Sequence, residues 1–247
     1  MKENYTLRIL RGTASSPYWE DFLLPFIPGY NVISALMYIQ KNPINKEGKL
    51  TTPVAWEQGC LEEVCGSCSM LINGKPRQAC TALIENLISS SSSYIITLAP
   101  FSKFPVVRDL VVLRDKMFSP LIQLKAWVEV EELLKGDFGP KQSQELQEKR
   151  YQLSTCMTCG CCLEACPQIN DQSSFIGAAP LSQALLFHLH PQEDVHKQQR
   201  LDALMEEGGI EGCGKAGNCV QVCPKKIPLT ESINRLAKEV TKNLFSS

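Results

Sequence analysis

The first part of the chain shows the alternation of apolar residues that is typical of β-strands. Every second residue from Tyr5 to Ile9 is large and apolar, which predicts a strand with one buried face. Residues 19–26 and 94–98 predict two further strands. Between them, the apolar residues of segment 32–39 fall on one face of a helix, and Asn31 precedes them as a predicted N-cap. The pattern therefore predicts a mixed α/β unit.

Beyond this unit the apolar period becomes helical. Residues 116–150 follow a helical pattern that joins the mixed unit to the rest of the chain. Residues 180–188 predict an apolar helix, and the apolar residues of segment 233–240 share one face of a C-terminal helix. The change of period divides the chain into a mixed unit, 1–113, and a helical unit, 114–247.

The first group of cysteines, spaced C-x4-C-x2-C with a fourth cysteine after eleven residues, comprises Cys60, Cys65, Cys68 and Cys80. This is the spacing of plant-type ferredoxins, which bind a 2Fe–2S cluster. Asn73-Gly74 predicts a two-residue hairpin turn that returns Cys80 to the cysteine loop. Gly59 and Gly66 let the backbone curl so that its amides point at sulfur. A zinc site built from the same thiolates is the alternative, although zinc knuckles normally consist of two close cysteine pairs.

A second group of cysteines lies in the helical unit. It has the spacing C-x2-C-x2-C-x3-C-P of bacterial-type ferredoxins and comprises Cys156, Cys159, Cys162 and Cys166. The fourth cysteine of such a run ligates a second cluster, so a second copy of the run is expected downstream. That copy comprises Cys213, Cys219 and Cys223, with Ala216 at the position where the second cysteine is expected.

The thiolate missing at Ala216 predicts two different clusters. With the crossed pairing of two-cluster ferredoxins, the ligands of a 4Fe–4S cluster are Cys156, Cys159, Cys162 and Cys223. The other site keeps three thiolates, which predicts a 3Fe–4S cluster held by Cys166, Cys213 and Cys219. Cys161 lies off this spacing and is predicted to be a buried thiol.

Composition favours metal chemistry and excludes several other classes of protein. The twelve cysteines fall in three groups and the N-terminus lacks the apolar core of a signal peptide, which favours metal binding over disulfides. The net charge of −1 gives no reason to expect nucleic acid, and no apolar run is long enough to span a bilayer. The three histidines lack metal-ligand spacing. The sequence contains no phosphate-binding glycine loop and no nucleophile–base pattern, so no catalytic residue is predicted.

A family resemblance extends over essentially the whole chain and is carried by five segments, which are CLEEVCGSC, FPVVRDLVV, CMTCGCCLEACP, FIGAAPLSQA and CGKAGNCVQVCPKKIPL. Through them the chain resembles the iron–sulfur subunit of succinate dehydrogenase and fumarate reductase. The resemblance implies an α+β chain with an N-terminal plant-type ferredoxin (β-grasp) domain, 1–113, and a C-terminal all-α bacterial-ferredoxin-type domain, 114–247. It also implies the ligand sets given above for the 2Fe–2S, 4Fe–4S and 3Fe–4S clusters.

The resemblance further implies an oxidoreductase whose substrate site lies on a partner. In this family a flavoprotein subunit with covalent FAD oxidises succinate to fumarate, in the tricarboxylic acid cycle. Electrons then leave one at a time through the 2Fe–2S, 4Fe–4S and 3Fe–4S clusters to a quinone at a membrane anchor. The chain is therefore expected to be a peripheral subunit of respiratory complex II, on the cytoplasmic face of the inner (cell) membrane.

The chain departs from the ubiquinone-linked branch of the family at two places. That branch has a tryptophan shortly after the first Cys-Pro and a histidine after the first cysteine of the last run. Here Ile169, Asn170 and Gly214 stand at those places. The departure predicts the branch that has a single dihaem cytochrome b as anchor, with haem b on that partner and menaquinone as the quinone.

The residues and the resemblance are also compatible with other functions. The same subunit can work in the opposite direction, as part of a fumarate reductase that oxidises quinol, and the sequence does not separate the two directions. A zinc-stabilised structural or interaction protein and a free-standing soluble ferredoxin are the alternatives from other classes. The length of 247 residues and the two cysteine-bearing units favour a relay between two docking faces over a small ferredoxin.

Overall fold

The computed structural model describes residues 3–89, 94–128, 141–191 and 195–246. The chain forms two units, Met1–Leu113 and Arg114–Ser247, each with its own internal contacts. Residues 129–140 of the predicted helical stretch lie outside the described residues.

The first unit is built on a five-stranded mixed sheet with the strand order β2-β1-β5-β3-β4. Its strands are β1 Asn4–Arg11, β2 Tyr18–Pro25, β3 Ser69–Ile72, β4 Lys75–Gln78 and β5 Ile95–Ala99. β1 pairs antiparallel with β2 and parallel with β5, and β3 pairs antiparallel with β5 and β4. Tyr5, Leu7 and Ile9 are all buried, so the predicted first strand and its buried face are confirmed.

The helix α1, Val32–Lys41, packs its apolar face into the core of this unit. Asn31 caps it as predicted, because its Oδ1 accepts a hydrogen bond of 2.9 Å from the backbone N–H of Ser34. Asn31 also donates through Nδ2 to the carbonyl oxygen of Cys80 at 2.8 Å. The helix cap is thereby attached to the strand end that carries one of the predicted ligands.

A buried carboxylate ties the start of the cysteine loop to the sheet. The strands β6 Val106–Arg108 and β7 Val111–Val112 form a small hairpin whose turn contains Asp109, with a φ of 49°. One carboxylate oxygen of Asp109 accepts from the backbone N–H of Gly12 at 2.7 Å, and the other accepts from that of Ala55 at 2.8 Å. The fully buried Arg11 pairs with the same carboxylate at 3.1 Å. This network fixes the segment that leads into the loop.

The second unit is helical, and its helices are α3 Ser119–Gln123, α4 Gln144–Ser154, α5 Cys161–Ala165, α6 Ala178–His188, α7 Lys197–Met205, α8 Asn218–Gln221 and α9 Leu229–Ser246. A short helix of the first unit, α2 Ile84–Ser89, was not predicted. α6 packs against α4 and α9, and its Leu181 is fully buried. Ile233 and Leu236 bury the inner face of α9, which confirms the predicted C-terminal helix.

Arg200 and His188 are buried polar side chains of the second unit. The guanidinium of the buried Arg200 donates to the carbonyl oxygens of Leu124 and Lys125 at 3.2 Å and 2.6 Å, and so satisfies the C-terminal end of α3. His188 lies buried on α6, and burial lowers the pKa of its imidazole to about 4.

Within the described residues, no helix has the length and apolar character that crossing a bilayer requires.

Candidate functional site

The cysteine loop of the first unit turns its backbone N–H groups towards a sulfur atom. The Sγ atom of Cys60 accepts hydrogen bonds from the N–H groups of Glu62, Val64 and Cys65 at 3.3, 3.2 and 3.3 Å. The N–H of Cys60 in turn donates to the Sγ of Cys65 at 3.4 Å. Such donors stabilise negative charge on sulfur, so the loop suits thiolate ligands.

This orientation of the amides depends on an unusual backbone. Leu61 and Glu63 have left-handed φ angles of 62° and 55°, which non-glycine residues rarely adopt. The carboxylate of Glu63 accepts a hydrogen bond of 2.7 Å from the Thr81 hydroxyl, which holds this part of the loop. Gly66 follows at a φ of 75°, a conformation that glycine adopts without steric cost.

Gly59 is needed for a different reason, which is space. A Cβ atom at this position would lie 2.9 Å from the Sγ of Cys65, closer than real Cβ atoms approach other atoms. Gly59→Ala is therefore expected to push Cys65 out of position. Overpacking costs about 1–3 kcal/mol, which corresponds to roughly a 5- to 150-fold fall in the equilibrium constant for holding the two-iron cluster. The paramagnetic resonance signal of the reduced protein measures this loss.

The four- and three-iron signals of the same sample serve as internal controls for Gly59→Ala. They report on the second unit, and they are expected to keep their wild-type intensity. A full two-iron signal in this variant would mean that Cys65 does not hold the cluster where the loop places its sulfur.

Two further cysteines of this group lie at the ends of a hairpin. Cys68 immediately precedes β3 and Cys80 follows β4, and both are buried. The turn between these strands is formed by Asn73 and Gly74 with φ angles of 50° and 73°, which confirms the predicted two-residue hairpin. The Sγ of Cys68 lies 3.5 Å from Oε1 of Gln78. The hairpin thus brings the two buried thiols back to the loop.

The thiols of this loop differ in how readily they ionise. The backbone N–H of Cys60, followed by the hydroxyl and N–H of Ser67, lowers the pKa of Cys65 to about 6. Burial, followed by a hydrogen bond with Cys68, raises the pKa of Cys80 to about 12. A thiol must ionise to bind iron, so the charge of a bound metal offsets the burial cost at Cys80.

In the second unit, a cavity is lined by four cysteines from two distant stretches, which are Cys156, Cys159, Cys162 and Cys223. The rest of its wall is mainly apolar and includes Met157, Ile227 and Leu229. The backbone N–H of Ile227 donates to the Sγ of Cys223 at 3.4 Å. Burial raises the pKa of Cys156 and raises that of Cys162 well above its usual value.

Cys161 lies fully buried beside this cavity but does not line it. Its thiol donates a hydrogen bond to Cys159, and this bond is the main reason that the pKa of Cys159 is lowered to about 7. Cys161 is thus the buried thiol that the sequence predicted, and it contacts a predicted ligand.

Cys161→Ala is expected to leave all three cluster signals in place, because four other thiols line the cavity. The lost hydrogen bond to Cys159 is expected to lower the potential of the four-iron centre, since donors to sulfur favour the more negative reduced state. Iron content and a redox titration monitored by paramagnetic resonance measure both effects. Loss of the four-iron signal would show that Cys161 is itself a ligand.

A second cavity is lined by three cysteines, which are Cys166, Cys213 and Cys219. Ala216 also lines it, so a methyl group stands where the repeated spacing would place a fourth thiol. Burial raises the pKa of Cys219. The neighbouring Asn218 donates through Nδ2 to the carbonyl oxygen of Ala165 at 3.0 Å and thereby joins α8 to α5.

The two cysteine runs of the second unit have the same backbone. Thr158 and Lys215, each two residues after the first cysteine of its run, have left-handed φ angles of 50° and 56°. Gly160 and Gly217, two residues further on, have φ angles of 84° and 76° and are the N-cap residues of the short helices α5 and α8. Ala216 therefore occupies the place in its run that Cys159 occupies in the other.

The thiols of each cavity are distributed around its wall. In the described parts of the chain, no three or more histidine, cysteine, aspartate or glutamate side chains gather closely enough to hold a single metal ion. In a three- or four-iron cluster each iron takes its own protein thiolate, so the ligands surround a volume. The donor set and the amides directed at sulfur fit such a group.

Comparison with known proteins agrees with this chemistry. Residues 6–119 match the family model of a 2Fe-2S iron-sulfur cluster binding domain, and residues 152–227 match that of a 4Fe-4S dicluster domain. The chain is 50% identical to the succinate dehydrogenase iron-sulfur subunit of Bacillus subtilis, over 99% of the chain and 96% of that relative. The chain belongs to the family of succinate dehydrogenase and fumarate reductase iron–sulfur subunits.

More distant members of the family also match. The chain is 29% identical to the fumarate reductase iron-sulfur subunit of Haemophilus influenzae, over 94% of the chain and 90% of that relative. A chain of the Mycobacterium smegmatis Sdh1 complex in the apo form shares its fold, with a TM-score of 0.84 and 23% identity over 99% of this chain and 98% of that one. The predicted family and fold class are thus confirmed. Membership of this family of iron–sulfur subunits argues against the alternative of a zinc-stabilised structural or interaction protein.

Proposed function

We propose that this chain is the electron-transfer subunit of a succinate:quinone oxidoreductase, with a distinct cluster in each of its three thiol sites. The observation that carries the proposal is the gathering of two separate cysteine runs into one four-thiol cavity and one three-thiol cavity. The ligands proposed for the 2Fe–2S cluster are Cys60, Cys65, Cys68 and Cys80. Those proposed for the 4Fe–4S cluster are Cys156, Cys159, Cys162 and Cys223, and those for the 3Fe–4S cluster are Cys166, Cys213 and Cys219. The domains that hold them are residues 1–113 and 114–247.

When bound, such clusters take up and release single electrons at potentials set by ligands, hydrogen bonds and burial. The chain supplies these conditions. The N–H groups of the loop donate to Cys60, and that of Ile227 donates to Cys223. The apolar wall formed by Met157 and Leu229 keeps water away from the four-thiol cavity.

The partners that we propose are a flavoprotein subunit with FAD, which carries the succinate site, and a membrane anchor. The names of the relatives, which are subunits of succinate dehydrogenase and fumarate reductase, support a multi-subunit complex. Ile169, Asn170 and Gly214, which depart from the ubiquinone-linked branch, support a single dihaem cytochrome b anchor and menaquinone. With these partners the chain would lie on the cytoplasmic face of the cell membrane.

We propose succinate oxidation as the physiological direction. The 50% identity to a succinate dehydrogenase subunit supports it. The second candidate is fumarate reduction, which is supported by the 29% identity to a fumarate reductase subunit. Comparing the rates of succinate oxidation and fumarate reduction in membranes, with and without the gene for this chain, separates the two.

Affinity purification of the tagged chain from detergent-solubilised membranes tests the proposed complex. The expected result is a brown preparation containing a flavoprotein with covalently bound FAD and a single cytochrome b with two haems. Extraction of the bound quinone is expected to yield menaquinone. Recovery of the chain alone, without a flavoprotein, would contradict the proposal, and two small anchor chains with ubiquinone would contradict only the assignment of the branch.

A further inference from the structure

Four polar side chains line the three-thiol cavity without being ligand candidates, which are those of Gln168, Lys215, Asn218 and Thr230. Gln168, two residues after Cys166, contributes to the wall of this cavity. The other side-chain amide on the wall, that of Asn218, already donates to the carbonyl oxygen of Ala165. In the described parts of the chain, no hydrogen bond from the Gln168 amide to a protein acceptor is found. Gln168 therefore has N–H donors to offer to whatever occupies the cavity.

The position of the Gln168 amide depends on Gly214. A Cβ atom at residue 214 would lie 2.5 Å from Nε2 of Gln168 and 3.2 Å from its Cδ. The backbone of Gly214 is not in the left-handed region, so glycine is required there for space and not for conformation. The space above Gly214 is thus occupied by the amide of Gln168, directly beside the ligand candidate Cys213.

We propose that Gln168 is a positioning residue that sets the reduction potential of the three-iron centre by donating an N–H hydrogen bond to its sulfur atoms. Reduction adds negative charge to the centre, so a donor at this place favours the reduced state and raises the potential. The inference rests on the proposed function, because it requires a cluster held by Cys166, Cys213 and Cys219.

Two substitutions test this role through different atoms. Gln168→Leu removes the donor and keeps a side chain of similar size. Gly214→Ala keeps the glutamine but displaces its amide, and the displacement is inexpensive because the atom that must move is the end of a flexible side chain. Gln172→Leu, which replaces an exposed amide on the same segment, is the matched control.

The measurement is a redox titration of the assembled membrane complex, followed by the paramagnetic resonance signal of the oxidised three-iron centre. Loss of a hydrogen bond to a charged group is expected to lower the equilibrium constant for reduction about tenfold in both variants, which is about 59 mV for one electron. The double variant is expected to show the shift of one substitution only. The control and the two- and four-iron centres are expected to titrate as in the wild type.

An unchanged three-iron potential in both single variants would overturn the inference and leave the proposed function intact. If Gln168→Leu loses the three-iron signal altogether, the reduction potential of the three-iron centre in Gly214→Ala becomes the test. A wild-type potential in Gly214→Ala would then overturn the inference. Absence of a three-iron signal from the unmodified complex would instead refute the proposed ligand set.

Discussion

Ala216→Cys is expected to convert the three-iron centre into a four-iron centre. Ala216 lines the three-thiol cavity, and the backbone of its run repeats that of the run in which Cys159 holds the equivalent place. A thiol at this position would complete the ligand set that the repeated spacing requires. The paramagnetic resonance signal of the oxidised complex is therefore expected to disappear almost entirely, and a second four-iron signal to appear on reduction.

Quinone reduction is expected to fall in the same variant, because the reduction potential depends on the cluster type and a four-iron centre ligated by four thiolates accepts electrons less readily than the three-iron centre. For each 59 mV by which the potential drops, the equilibrium constant for reduction of this centre falls about tenfold. Ala216→Val, which adds similar bulk without a thiol, is the control and is expected to keep the three-iron signal. A three-iron signal in Ala216→Cys would show that residue 216 does not face the centre.

Cys166→Ala and Cys223→Ala are expected to have opposite effects, although each replaces the last cysteine of its run. Cys166 lines the cavity of the downstream run and Cys223 lines that of the upstream run. Cys166→Ala is expected to abolish the three-iron signal and quinone reduction, while electrons from succinate still enter through the flavin and the two- and four-iron centres are still present. Cys223→Ala is expected to abolish the four-iron signal instead. Paramagnetic resonance of membranes containing each variant, with succinate or dithionite as reductant, measures the difference.

The crossed assignment of Cys166 and Cys223 to the two clusters can be checked with the same two variants. If each run held its own cluster, Cys166→Ala would remove the four-iron signal and Cys223→Ala the three-iron signal. That reversal would contradict the crossed ligand sets. Immunodetection of the chain and of covalent FAD in the same membranes controls for failure of assembly, since an unassembled chain would lose every signal at once.

Much of this arrangement could be predicted from sequence because iron–sulfur ligation fixes residue spacing. The position of Ala216 followed from counting residues in two runs, and no knowledge of the fold was required. The strand at 5–9 and the helix capped by Asn31 were predictable for a similar reason, since local periodicity and capping determine them.

Other features depend on contacts that no local pattern contains. The carboxylate of Asp109 binds the N–H of Gly12, which is 97 residues away in the chain. The left-handed backbone at Leu61 and Glu63 was not predictable, because neither residue type favours it. The helices α5 and α8 are too short to show a period, and the contact of Gln168 with Gly214 appears only once the two runs are brought together.

The most direct test of the three-centre arrangement is combined Mössbauer and paramagnetic resonance spectroscopy of the complex, purified without oxygen and studied both oxidised and reduced. The expected spectra contain one two-iron, one four-iron and one three-iron centre in equal amounts, with the three-iron signal present in the oxidised state. Spectra with only two centres, or with a four-iron centre in place of the three-iron one although Ala216 is present, would contradict it.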